Sequence, residues 1–170
     1  MKPHVKYGLM LGGTLASIPL IMYALGIEKD ETFQRIFSVL LVILVSLIIY
    51  MGIREKRQLG NGFLSFGSGF SAGMGITLIG SAIASVMKYI YYIFIDPGMI
   101  TYIKLKQEEE LYKRGFADAD VEKMAKQMEF TSTPEMLVGF EFLGILILGL
   151  VVSLICAGIL KKEDPSEIIS

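Results

Sequence analysis

Charged and apolar residues fall into separate blocks along this chain instead of alternating. Tyr7 to Ile27 carries no charge, and neither does Ile36 to Ile53. Phe63 to Ile95 contains only Lys88, and Met136 to Leu160 only Glu141. A helix rising 1.5 Å per residue needs about 20 mostly apolar residues to cross a hydrocarbon core of about 30 Å. Each block is long enough. Barrel strands would show about ten residues of alternating polarity, which these runs lack. The pattern therefore predicts an all-α membrane protein with four transmembrane helices over about 7–27, 36–53, 68–95 and 136–160, in a single domain of residues 1–170. The first run is also longer than the apolar region of a secretory signal, and no clean A-x-A site follows it, so it reads as a span.

The segment between the third and fourth spans, 96–135, predicts an amphipathic helical hairpin. Asp96-Pro97-Gly98 is a turn that stops span three. A mixed helix follows to Arg114, with Gly115 placed as a left-handed cap. Asp118 is expected to cap a second helix, whose Val121, Met124, Ala125 and Met128 lie at i, i+3, i+4 and i+7. Thr133 and Pro134 suit the cap and first position of span four. Two readings stand for this hairpin: it docks on a partner or the outer leaflet, or it packs its stripe on the outer end of its own bundle.

Orientation follows from where the basic residues lie in the short segments. Lys2 and Lys6 precede span one. Arg54, Lys56 and Arg57 form a tight loop after span two, and Lys161-Lys162 opens the tail. The 96–135 segment is acidic, with six basic and nine acidic residues. Both termini are expected in the cytoplasm and the hairpin outside.

Composition narrows the field further. Of the 170 residues, 53% are hydrophobic and 19% charged, with a mean hydropathy of +0.58. That is too apolar for a soluble enzyme. A single cysteine, Cys156, excludes an internal disulfide framework and reads as a small packing residue. A net charge of -1 gives no bulk attraction to nucleic acid.

Small residues mark the packing faces. In span three, Gly69 with Gly73 and Gly80 with Ala84 are spaced four apart, and span one repeats the device with Gly8, Gly12 and Ala16. Such spacing lets helix backbones approach closely, so spans one and three are expected to touch; the alternative use of these faces is a homo-oligomer contact. Pro19 is expected to kink span one or relax its outer half. Gly67-Ser68-Gly69 with Gly73 is no nucleotide loop, because neither the acidic residue of a dinucleotide site nor a Gly-Lys-Ser/Thr is present.

Lys88 shares the small-residue face of span three, lying three, four, seven and eight positions after Ser85, Ala84, Ser81 and Gly80. Lys88 and Glu141 both fall roughly 9–12 Å below the outer boundary of their spans. Equal depth and opposite sign predict an ion pair. Either charge alone would cost about 2.5–3.5 kcal/mol at the bilayer centre and less near its edge. Three readings stay open: a structural pair, an interfacial anchor within the belt of Tyr89, Tyr91 and Tyr92, or a functional polar site such as a lipid-phosphate contact or ion path.

No catalytic, metal or cofactor constellation is legible. His4 is expected to be solvated in the tail, and Glu108-Glu109-Glu110 reads as a wet helix face, since consecutive side chains diverge around a helix. Asn61-Gly62-Phe63-Leu64-Ser65-Phe66-Gly67, then the small-residue span, Phe94-Ile95-Asp96-Pro97, the charged loop, the Thr-Pro opening of span four and the Lys-Lys tail resemble the domain of unknown function 4199 family. That resemblance implies a small four-span bacterial membrane protein with no assigned activity or cofactor. It also implies, as a partner, a polyprenyl-phosphate glycosyltransferase from neighbouring genes or another membrane protein. The residues and the resemblance together point to a non-catalytic accessory or scaffold subunit in the cell envelope. The alternative is a small oligomeric transporter or channel using the Lys88–Glu141 pair.

Overall fold

The computed structural model describes residues 1–162; the expectation for the end of the C-terminal tail lies outside them. Six α-helices follow in chain order: α1 Pro3–Ala24, α2 Glu31–Leu59, α3 Phe66–Ile90, α4 Gly98–Lys113, α5 Asp118–Met128 and α6 Pro134–Leu160. A π-helical turn, Tyr91–Ile95, continues α3. The fold is all-α, and four helices are long and apolar enough to cross a membrane: α1, α2, α3 with its π turn, and α6.

The chain divides into two compact units, one of Met1–Ala84 with the chain from Phe142 onward, the other of Ser85–Glu141. In the first unit, Leu11, Val45, Ile49, Ile53 and Ile76 are fully buried at the centre of the core. Around them Val39, Leu40 and Leu47 on α2 and Ile147, Ile155 and Ile159 on α6 are exposed. Large aliphatic side chains turned outward over the length of two helices are what a hydrocarbon solvent requires.

Helix ends follow local chemistry. Asp30 caps α2 by accepting from the amides of Thr32 at 2.8 Å and Phe33 at 3.2 Å. Downstream, α2 runs on to Leu59, so Arg54, Lys56 and Arg57 are helical residues and not the loop expected for them. Every residue from Arg54 to Leu59 is a fair helix former, and the cations of the last turn favour the negative end of the helix dipole. The true connection is 60–65, where Asn61 and Gly62 adopt φ of 54° and 86°. An isolated antiparallel bridge then ties Leu64 to Lys162, with the two backbone bonds at 2.8 and 2.9 Å. Pro19 lies inside α1, which continues past it to Ala24. His4 lies in the first turn of α1 and not in a tail as expected, half-buried beside Gly75.

In the second unit, Leu111 of α4 and Val121 of α5 are buried. Gly115 turns the chain between these helices with φ of 85°, as its placement predicts. Asp118 is the first residue of α5 and makes no capping bond; Ala117 holds the cap position, and Asp118 and Asp120 act instead as acids in the first turn. Ser132 is almost completely buried, its Oγ 2.9 Å from both Gln107 Oε1 and Met128 O.

Candidate functional site

Lys88 enters the second unit on the last turn of α3, and Glu141 on the second turn of α6. The structure brings them together, with Lys88 Nζ 3.6 Å from Glu141 Oε2. At that separation the pair is a Coulombic contact longer than a well-made hydrogen bond. Side-chain exposures of 23% and 38% leave both groups partly accessible. Lys88 Nζ also lies 5.6 Å from the centroid of the Tyr92 ring, within cation–π range. Tyr92 is itself buried and meets Tyr91 edge to face with centroids 5.8 Å apart. Ser85, one turn before Lys88, buries its Oγ without a hydrogen-bond partner.

The π turn shapes this neighbourhood. Asp96 N donates to Tyr91 O at 2.9 Å, the five-residue spacing of a π-helix. Pro97 then ends the run, and Asp96 before it is driven from helical geometry to φ −134°, ψ 79°. Nearby, Tyr89 Oη donates to Glu135 Oε1 at 3.2 Å, which draws the Glu135 region to the end of α3.

The small residues act as contact points within the first unit. A Cβ added to Gly8 would stand 2.7 Å from Ile79 Cβ, and one at Gly12 2.6 Å from Ile83 Cβ. One at Gly80 would meet Leu11 Cδ2 at 2.6 Å. So α1 and α3 meet through Gly8, Gly12 and Gly80. Gly69 and Gly73 face α6 instead, against Ala157 and Ser153. Ala84 is buried, whereas Ala16 is half-buried.

Sequence reasoning missed the rest of the α3–α6 contact. Thr77 packs into Gly149, and Thr77 and Ser153 are hydroxyl residues with no exposure at all; Ser81, on the small-residue face read from the sequence, is fully buried too. Thr77 Oγ1 returns a bond to Gly73 O at 3.0 Å, while Ser153 Oγ is buried without a partner. Hydroxyls inside an otherwise apolar run were the available signal. Also missed was a cluster in which Glu55 accepts from Lys6 Nζ at 2.6 Å and from Tyr7 Oη at 2.8 Å. A lone acid among Arg54, Lys56 and Arg57 could have pointed to it.

Between α4 and α5 lies a cleft of about 510 Å³, lined by Lys104, Glu108, Tyr112, Val121 and Lys126 among others, with Ser132 at its edge. Glu109 beside it is engaged by Lys106 at 3.0 Å and Lys113 at 2.9 Å. Those bonds, Lys113's first, hold the Glu109 carboxyl below its ordinary range. Among the described residues, no group of three or more His, Cys, Asp or Glu side chains is placed to hold a metal ion. Cys156 is a buried free thiol in the core.

Among protein families, the model described as "Protein of unknown function (DUF4199)" matches residues 6–162. Comparison with the curated proteins found no match, and comparison with solved structures found none.

Proposed function

The chain belongs to the DUF4199 family of proteins of unknown function, and from that premise we propose that it is a non-catalytic integral membrane protein serving as an accessory or scaffold subunit of a bacterial cell envelope. Four helices of crossing length hold it in the inner membrane with both termini in the cytoplasm, and α4–α5 is its docking element on the outer side. A membrane partner is the expected client, and a polyprenyl-phosphate glycosyltransferase is one such protein.

The observation that supports this reading best is the α4–α5 cleft, a concave surface of mixed charge and apolar lining in a chain with four helices long and apolar enough to cross a membrane. Concave surfaces with a few polar groups are where recognition concentrates. The test places a photo-crosslinking residue at Ala125, in the cleft wall, and in parallel at Ile147, on an exposed face of α6. The expected result is one discrete protein adduct from Ala125, recovered in equal stoichiometry after mild detergent extraction. A solitary monomer with no adduct at Ala125 overturns the reading.

One observation favours a second reading, a small oligomeric transporter or channel. Lys88 and Glu141 stand 3.6 Å apart and partly accessible, within helices otherwise free of charge over most of their length. Intramembrane ionisable residues commonly line ion or substrate paths. That reading predicts a defined oligomer and a flux that falls when Lys88→Met and Glu141→Leu are combined; unchanged flux removes it.

A further inference from the structure

One end of the first unit gathers cations from three separate stretches of chain. Lys2 precedes α1, Arg54, Lys56 and Arg57 close α2, and Lys162 follows α6. Their meeting is built, not merely suggested by sequence. Lys56 Nζ donates to Ser68 O at 2.9 Å, which fastens the end of α2 to the start of α3. Arg57 Nε donates to Gly62 O at 3.0 Å, using one of the guanidinium's five donors. The Leu64–Lys162 bridge brings the end of α6 to the same connection, and Lys162 Nζ lies 5.5 Å from the centroid of the Phe63 ring. Glu55 is the acidic residue at this end of the described chain, and Lys6 and Tyr7 already engage it. Among the described residues, cations outnumber acids at this end.

The same end exposes apolar surface. Leu59 is 69% exposed and Phe66 41% exposed, the latter stacked on Phe70. An occupant of this face must therefore present anionic oxygens and hydrocarbon together. A nucleic acid or a soluble polyanion supplies the first alone. A phospholipid supplies both, and basic segments at the cytoplasmic ends of spans attract anionic lipids at about 1 kcal/mol per cation.

We propose that this end of the protein is a binding face for anionic phospholipid headgroups, with Lys2, Arg54, Arg57 and Lys162 contacting phosphate and Leu59 and Phe66 lying against the acyl chains. Arginine's planar fork suits phosphate, and the Gly62 bond pre-orders Arg57 for it. The proposal rests on the membrane reading above and goes beyond it by naming a ligand class and a leaflet.

Native mass spectrometry of the full chain in detergent, titrated with phosphatidylglycerol or phosphatidylcholine, tests it. Phosphatidylglycerol is expected to be retained and phosphatidylcholine lost at the same activation. Combining Lys2→Gln, Arg54→Gln and Lys162→Gln is expected to weaken retention by about fivefold for each cation removed, with helix content unchanged. The control set Lys104→Gln, Lys123→Gln and Lys126→Gln, which removes equal charge from the second unit, is expected to leave it intact. Equal retention of both lipids, an unaffected triple variant or an equally weakened control overturns the proposal. Displacement of the lipid by inorganic phosphate overturns it too, since the face would then recognise free phosphate. A chain released from membranes by alkaline carbonate defeats the membrane reading itself. A carbonate-resistant chain without lipid preference defeats only the headgroup face.

Discussion

The two compact units of this protein are held together by different physics. In the first, backbones approach through glycines, and the space between helices is filled by Ile79, Ile83, Leu11 and Thr77 with almost nothing to spare. In the second, few side chains are buried, and charged pairs accompany them: Lys88 with Glu141, and Glu109 with Lys106 and Lys113. Lipid tails provide no hydrophobic drive for helix association, so contact area and close approach must do the work in the first unit. A shorter, charge-rich segment can use electrostatics, at the cost of sensitivity to pH and salt.

The sharpest way to break this contrast is to crowd a glycine contact. Gly73→Val would drive a branched side chain into Ser153 and Ile53. It is expected to destabilise the chain by about 3 kcal/mol, the upper end of ordinary overpacking, measured as a fall in thermal midpoint in detergent. Gly13→Ala, on the same kind of helix but with nothing within 4 Å of the added Cβ, should instead be neutral or gain up to about 1 kcal/mol. If both substitutions behave alike, glycine contacts are not what holds the first unit.

Lys88→Met tests the second unit's pair. It leaves Glu141 without its cation, and with both groups partly exposed the expected loss is about 1–2 kcal/mol, below that of a fully buried pair. Adding Glu141→Leu should restore most of the loss if the pair is structural. A double variant as unstable as the single one would show that Tyr92 and its neighbours, not charge balance, need Lys88.

The smallest effect is a pH response of α4. Glu109 is held below its ordinary value near 4.5 by Lys113 and Lys106. Its contribution is therefore complete above that value and is lost as pH falls through the lower folded-state value. Because the group is exposed, the change should appear as lower amide protection factors in α4, with rates corrected for the intrinsic pH dependence of exchange, on acidification from pH 5, without global unfolding. Glu109→Gln should abolish the response, and a response that persists in that variant would trace to other acids.

Much of the fold was legible because a bilayer imposes a simple rule on sequence. Uncharged runs of spanning length announce α1, α2, α3 and α6 before any packing is known. Gly115 also signalled its role, since a left-handed cap has a residue preference of its own. The juxtaposition of Lys88 and Glu141 could be reasoned from depth and sign alone. The partner of each glycine could not. Gly69 and Gly73 share spacing with Gly80 and Ala84, yet they turn to α6 because rotation of one helix against its neighbours is settled by shape over many contacts. The π turn after Ile90 left no local signature either; it is visible only in the Asp96–Tyr91 bond. The Lys6–Glu55–Tyr7 cluster joins residues far apart in sequence; the lone acid among cations marked Glu55 but did not say which residues engage it.

The two backbone bonds between Leu64 and Lys162 join positions about a hundred residues apart. During synthesis the first three long helices emerge well before α6, so this clasp closes only when α6 and Lys162 have been made. Until then the connection before α3 lacks its tether, and α3 lacks Gly149 and Ser153 to lean on. The clasp is thus a late step, made by a residue that follows α6. A chain cut short at the start of α6 would leave the α3 face at Gly69 and Gly73 without Ala157 and Ser153 to cover it.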